Sequence, residues 1–326
     1  MTGAPTVLVL THSEDTFTID RVADGLRARG AHPVRVDTDL FPSELSLSMR
    51  FDRDVSDHAL TLAGETFLAA DVRAVYNRRV WKPRLDPDLD ELYREGCSRE
   101  SVTTLRAFLA GLSDARWIDP PLMVTAAEDK PRQLREARAA GLTIPRTVIT
   151  NDPTRVRDFY RSLGTPMVTK MLSPLSYGMQ ASAFFVHTSR VEPDDLDDLD
   201  SLRLCPMVFQ ELVPKRVELR VIYVAGRCFT GAIDASKSER AQVDWRRANP
   251  DEVRWERHAL DPDITRRLHT LMRRLGLTYG AADFIVTPDG GHVFLEVNPS
   301  GEWGMVEHDL GLPIGDALAA ALVDGL

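Results

Sequence analysis

Cysteine is scarce in this 326-residue chain: Cys97, Cys205 and Cys228 are far apart and odd in number. That count argues against a disulfide framework or a cysteine zinc site and fits a reducing cytoplasm, with small apolar packing as the ordinary role of each thiol. No apolar run approaches the length of a membrane span, and the opening Met-Thr-Gly-Ala-Pro lacks the basic region of a secretion signal, so no membrane association is expected. Basic runs are missing too. With a net charge of −9 and a pI near 5.4, the chain offers no electrostatic footprint for nucleic acid. No glycine-rich dinucleotide fingerprint follows the first apolar strand. No Ser/His/Asp or Cys/His arrangement calls for a covalent enzyme intermediate, and the eight histidines are scattered as surface or satisfied core residues are. What is present is a 43% hydrophobic chain, long enough for two or three lobes around a substantial core.

The most informative segment runs from Asp283 to Pro299. Phe284 to Thr287 and His292 to Val297 are β-rich runs, and Pro288-Asp-Gly-Gly between them carries turn chemistry. Side chains alternate along a strand, so Glu296 and Asn298 point the same way and Asp283 on the partner strand can join them. Two carboxylates and an amide oxygen, without His or Cys, suit a hard Mg²⁺-type ion that takes its remaining ligands from water and phosphates. The competing reading is an exposed hairpin with ordinary polar residues.

The organisation around that hairpin is α/β. Thr6 to Leu10 reads as an apolar strand, Thr18 to Arg29 as a helix ended by Gly30, and His32 to Asp37 as the next strand, a βαβ unit with a parallel sheet. Leu47 to Phe51 and Ala59 to Leu62 form a weaker strand pair, and Val72 to Tyr76 another central strand. A helix from about Asp88 to Leu112 closes this lobe, and Asp119-Pro-Pro is a stiff break. Beyond it, Asp129-Lys130-Pro131 starts a helix that reaches Gly141. Thr147 to Thr150, Pro153 to Leu163 and Met167 to Lys170 then read as strand, helix and strand.

Other charged residues are ambiguous one at a time. Lys170 closes a strand beside a Ser/Gly loop, an arrangement that can hold phosphate oxygens, yet exposed lysines at strand ends are common, and the same holds for Lys130. The five aspartates between Asp194 and Asp200 read as a solvated loop or helix start. Glu218 and Arg220 alternate with apolar residues and face one side, as a ribose and phosphate pair or as members of cross-strand ion pairs.

Taken in order, Lys130, Lys170 with its loop, Gln210-Glu-Leu-Val213, Glu218-Leu-Arg220 and Asp283 with Glu296-Val-Asn298 resemble the ATP-grasp superfamily over about residues 120 to 326. The resemblance implies an ATP-grasp fold with a Rossmann-like pre-ATP-grasp lobe over 1–120, a central lid lobe over 121–206 and a C-terminal β-sheet lobe over 207–326. It also implies that Lys130, Lys170, Glu211, Leu212, Val213, Glu218 and Arg220 bind ATP, and that Asp283, Glu296 and Asn298 hold Mg²⁺, two ions in all. Such enzymes convert a carboxylate to an acyl phosphate that an amine, hydroxyl or thiol captures. Finer features, among them Ala127-Glu-Asp-Lys-Pro-Arg-Gln-Leu134, Tyr76-Asn-Arg-Arg-Val-Trp81, Asp244-Trp-Arg246 and Asn298-Pro-Ser-Gly-Glu-Trp303, look like the graspetide (microviridin-type) maturases.

That branch implies a cytoplasmic ligase that joins Asp or Glu side chains of a ribosomal precursor peptide, a leader plus an acidic core, to Ser/Thr hydroxyls or Lys amines. A homodimer is the expected assembly. Arg220 and Arg246 are the catalytic candidates, because a planar guanidinium pairs two oxygens at once. Arg78, Arg79, Ser236 and Asp244 are candidates for the substrate side, and for Arg246 stacking on Trp245 or pairing with Asp244 competes. The alternatives are a carboxylate–amine ligase acting on a small molecule or protein tail, and an inactive homologue that only binds the leader.

Overall fold

The structure, a computed structural model, describes residues 4–54, 56–172, 188–234 and 254–326. The chain begins with β1 (Thr6–Thr11), α1 (Phe17–Ala28) and β2 (His32–Asp37), followed by an antiparallel sheet of β3 (Leu45–Phe51), β4 (Ser56–Leu62) and β5 (Glu65–Leu68). Next come β6 (Val72–Asn77), α2 (Glu91–Ala110) and β7 (Arg116–Ile118). Strands β2-β1-β6-β7 form a parallel sheet buried on both faces. The alternation of β1 explains why: Val7 and Val9 pack with α1, while Leu8 and Leu10 meet Leu105, Phe108 and Leu109 of α2.

Asp119-Pro-Pro does break the chain, and it also starts a helix, because Pro121 occupies a first-turn position where its missing N–H costs nothing. That helix is α3 (Pro121–Ala127), followed by α4 (Lys130–Ala139), whose first turn is capped by Asp129 accepting from the Arg132 N–H at 2.9 Å. A small antiparallel sheet follows: β8 (Thr147–Thr150), α5 (Pro153–Leu163), β9 (Met167–Lys170), β10 (Ser189–Val191) and β11 (Met207–Glu211), ordered β10-β9-β11-β8. Val156 and Leu163 of α5 pack with Met167, Phe209 and Leu202 over one face of it. The aspartate-rich run forms two 3₁₀ turns, Pro193–Leu196 and Asp200–Leu204, that tuck Leu199 and Leu202 into that core while most of the carboxylates stay exposed.

The last sheet is antiparallel and five-stranded, ordered β14-β13-β12-β15-β16: β12 (Val217–Val224), β13 (Arg227–Asp234), β14 (Glu256–Arg257), then α6 (Pro262–Leu275), β15 (Tyr279–Val286) and β16 (His292–Asn298). Strand β15 starts at Tyr279, earlier than the run from Phe284 suggests, and every residue of it is buried. Small residues at Gly280, Ala281 and Ala282 read poorly as strand by propensity and are placed there by packing. Leu219, Val221, Phe284 and Phe294 face α6, whose Leu268, Leu271, Met272 and Leu275 complete that core. The chain ends with α7 (Gly304–Leu310) and α8 (Ile314–Val323). Helix α8 lies against α1 so closely that a Cβ on Gly25 would sit 2.8 Å from the Ala319 Cβ, and Arg29 pairs with Asp316 at 2.7 Å. The C-terminal helices thereby bind the last sheet to the first lobe.

Candidate active site

The register of the five-stranded sheet writes the site in rows on the face away from α6. Arg220 of β12 lies opposite Asp283 of β15, which lies opposite Glu296 of β16. The row on one side is Glu218, Ile285 and Val293, and the row on the other is Ile222, Ala281 and Asn298. A register shift at Asp283/Phe284 gives β16 one extra residue, Leu295, so that both Glu296 and Val293 reach the same face. The charged row is therefore bounded by an apolar shelf of Val213, Ile285, Val293 and Leu295 and by the core that contains Ile222, Ala281 and Tyr279.

Charges within the row are balanced locally. Arg220 Nε stands 3.3 Å from Asp283 Oδ1, with both side chains largely buried. Lys130, the first residue of α4, places its Nζ 3.0 Å from Glu296 Oε2. Lys215 donates to Glu218 Oε2 at 2.7 Å, both groups again buried. Burial raises the Glu128 carboxyl above its ordinary range, against the pull of Lys130 beside it. Asn298 ends β16, and its Oδ1 accepts the Ser300 N–H at 3.0 Å. Asp283, Glu296 and Asn298 offer two carboxylates and an amide oxygen, hard donors of the kind that bind a divalent ion alongside water and phosphate; among the described residues no three His, Cys, Asp or Glu side chains converge as a metal cage of their own.

The loop after Asn298 is fixed from the first lobe. Arg78 is 2% exposed; it donates to the Ser300 carbonyl at 3.0 Å and pairs with Glu302. Tyr279 donates its hydroxyl to the Gly301 carbonyl at 2.6 Å, and Trp303, fully buried, donates to the Tyr76 hydroxyl at 3.3 Å. Burial pushes Tyr76 up to about 12 and Tyr279 higher still. Gly301 is required here, because its Cβ would lie 2.4 Å from that of Ala281. Asp119 completes the joint, accepting from Thr278 and Tyr279 N–H groups at 3.0 Å; burial nevertheless lifts its carboxyl above the usual range.

A family described as the MvdD pre-ATP grasp domain matches residues 6–125. The crystal structure of macrocyclase MdnB from Microcystis aeruginosa MRC is 42% identical, covering 98% of this chain and 99% of that one, with a TM-score of 0.82. The chain belongs to the ATP-grasp macrocyclase family. A RiPP-associated ATP-grasp ligase from Chryseobacterium gregarium, in complex with ADP and a leader and core peptide, is 28% identical over 98% of this chain and 97% of that one, with a TM-score of 0.92. The ATP-grasp ligase PsnB, complexed with a phosphomimetic variant of a minimal precursor, Mg and ADP, is 26% identical over 98% of each chain, with a TM-score of 0.74. No curated protein sequence matches this chain.

In this ATP-grasp ligase the remaining site candidates divide into four groups. Lys170 lies opposite Val208 on β11, on the sheet face turned away from α5, and the Ser/Gly loop that follows it falls outside the described residues from position 173. Glu211 Oε1 accepts from the Arg146 N–H at 3.0 Å, while Leu212 N donates to the Pro166 carbonyl at 2.8 Å and Val213 joins the apolar shelf. Arg79, with Arg78, His12 and Glu302, lines a 450 Å³ cavity between the first lobe and α7. Ser236, Asp244 and Arg246 lie outside the described residues. Arg78, the other first-lobe candidate, has its guanidinium bonded to Ser300 and Glu302.

Sequence reasoning gives no role of their own to Gln133 and Glu302, which it meets only inside longer motifs, nor to Lys215 and the His12–Trp81 stack, whose rings lie 3.8 Å apart and nearly parallel. Gln133 carries a usable signal, since it is three residues after Lys130 and so on the same side of a helix. Lys215 stands three residues before its partner Glu218 and so lay within reach of the sequence, whereas His12 carries no signal, because Trp81 is brought to it by the fold.

Proposed function

We propose that this ATP-grasp ligase activates Asp or Glu side-chain carboxylates of a ribosomally made precursor peptide and condenses them with Ser/Thr hydroxyls or a Lys amine, closing macrolactone or macrolactam rings. A carboxylate oxygen attacks the γ-phosphorus of ATP and ADP leaves. The hydroxyl or amine then attacks the acyl carbon, loses its proton, and phosphate departs, so that each crosslink removes one water from the peptide. The observation that carries this reading is the row of Arg220, Asp283 and Glu296 with Lys130 at its end, in a chain 42% identical to a macrocyclase.

In this reading Asp283, Glu296 and Asn298 hold two Mg²⁺ ions, which supply positive charge to the transferring phosphoryl group. Lys130 and Lys170 reach the phosphates, the Val213, Ile285 and Val293 shelf supports the adenine, and the segment Glu211–Val213 and Glu218 take base and ribose. Arg220 pairs with Asp283 and faces the phosphoryl group; Arg246 is the second catalytic guanidinium. Arg79, Ser236 and Asp244 belong to the peptide side. The lobes divide at 1–120, 121–206 and 207–326, and the partners are a leader-bearing precursor and a second copy of the chain, in the cytoplasm. None of the described helices is long and apolar enough to cross a membrane.

The test is mass spectrometry of the peptide encoded nearest this gene after incubation with the protein, ATP and Mg²⁺. Loss of one water mass per crosslink that requires ATP and disappears in Glu296→Ala is the expected result. Unchanged peptide with ATP consumed on adding free amino acids would replace it with the ordinary carboxylate–amine ligase, and no turnover with any peptide would leave a leader-binding homologue.

A further inference from the structure

Strand β16 is an edge of the five-stranded sheet, and edges expose unpaired backbone groups. Its outer side is covered at two points only a few residues apart: Phe294 N–H donates to the Thr143 carbonyl at 2.8 Å, and Val297 meets the side chain of Gln133. Gln133 Nε2 donates to the Val297 carbonyl at 2.8 Å and to the Ala127 carbonyl at 2.6 Å, while Gln133 Oε1 accepts the Val297 N–H at 3.0 Å. One primary amide thus occupies both backbone groups of one residue, as a further strand would. Gln133 is 1% exposed, so water does not compete for these bonds.

The position of the pinned residue gives the contact its meaning. Val297 is wholly buried in the core beneath α4 and α6, and its two neighbours, Glu296 and Asn298, project to the opposite face. Between the two points where the edge is held lies the extra residue Leu295, the place where a strand is least constrained by its ladder. The helix that carries Gln133 also carries Lys130, paired with Glu296. We infer that Gln133 is a positioning residue for the divalent-ion site, fixing the Val297 peptide so that Glu296 and Asn298 stay beside Asp283 on the ligand face. This rests on the reading of those three residues as metal ligands. A leucine of similar size leaves Val297 N–H, Val297 C=O and Ala127 C=O without partners, and the edge then relaxes.

The experiment titrates Mg²⁺ while following binding of a fluorescent ADP analogue to the full chain, with no peptide present, and records melting temperatures in parallel. Wild type should bind the nucleotide with saturable Mg²⁺ dependence that Glu296→Ala abolishes. In Gln133→Leu, and in Gln133→Glu should the first variant fail to fold, half-saturation by Mg²⁺ should rise about tenfold or more, the range expected when a residue supporting metal ligands is lost. Leu202→Ala, in the core of the small sheet, should lower the melting temperature without moving the Mg²⁺ midpoint. A folded Gln133 variant with a Mg²⁺ midpoint within twofold of wild type overturns the positioning role and leaves the metal site standing. Nucleotide binding by wild type that ignores Mg²⁺ overturns the metal reading itself and this inference with it.

Discussion

The two lysines proposed to reach ATP sit on very different ground. Lys130 opens a helix whose next turn is bonded to β16, and its ammonium meets a carboxylate in a row of charges enclosed by packed strands. Lys170 ends a four-residue strand in a sheet with an apolar core on one face, and across the ladder it meets Val208. The five-stranded sheet holds its charged row in place before any nucleotide arrives, as preorganised sites do. The smaller sheet presents its lysine half-buried at a strand end, with no ion pair among the described residues.

Several substitutions would break or sharpen that contrast. Glu296→Ala and Asp283→Ala have the largest expected effect: peptide crosslinking should fall at least ~100-fold, the scale on which loss of groups around a metal is felt, with circular dichroism unchanged. Trp303→Ala acts through the fold, costing ~3–5 kcal/mol in chemical denaturation, because Trp303 fills the joint between sheet and first lobe. Lys130→Ala should weaken ADP binding by roughly 10–100-fold, the equivalent of one charge-assisted hydrogen bond, and Lys170→Ala by less, about tenfold, by titration calorimetry. Equal losses for the two lysines would erase the distinction between the sheets.

The smallest effect concerns pH. Burial outweighs the neighbouring acids and holds His12 below its usual 6.5, so the native state binds its proton less readily than the unfolded chain. The stability this contributes is present above pH 6.5 and is lost as pH falls through the lowered native value. His12→Phe keeps the stack on Trp81 without a titrating group, and its melting temperature should fall less between pH 7 and pH 5 than that of wild type. A parallel decline in both proteins would remove His12 from the account.

Much of the site was legible because its residues are close in sequence. Glu296 and Asn298 share a face by alternation alone, and a Gly-containing turn brings Asp283 back beside them. The Ser/Gly loop after Lys170 and the Asp244-Trp-Arg246 segment carried equally readable motifs whose places in the fold lie outside the described residues. What sequence could not give are contacts that span the chain: Arg78 with Ser300 and Glu302, Asp119 with Tyr279, Gln133 with Val297. Each is an ordinary polar residue until folding places a backbone group against it. The helix Pro262–Leu275 went unread, although Leu268, Leu271, Met272 and Leu275 recur at helical spacing behind Asp261-Pro262.

The central claim is that a peptide carboxylate is phosphorylated above the row of Arg220, Asp283 and Glu296. Hydroxylamine added to protein, ATP, Mg²⁺ and precursor tests it most directly, since it captures an acyl phosphate as a stable hydroxamate. Hydroxamate on Asp or Glu residues of the precursor, requiring ATP and absent with Glu296→Ala, is the result this account predicts. Crosslinked peptide whose yield hydroxylamine leaves untouched, with no hydroxamate formed, would contradict it.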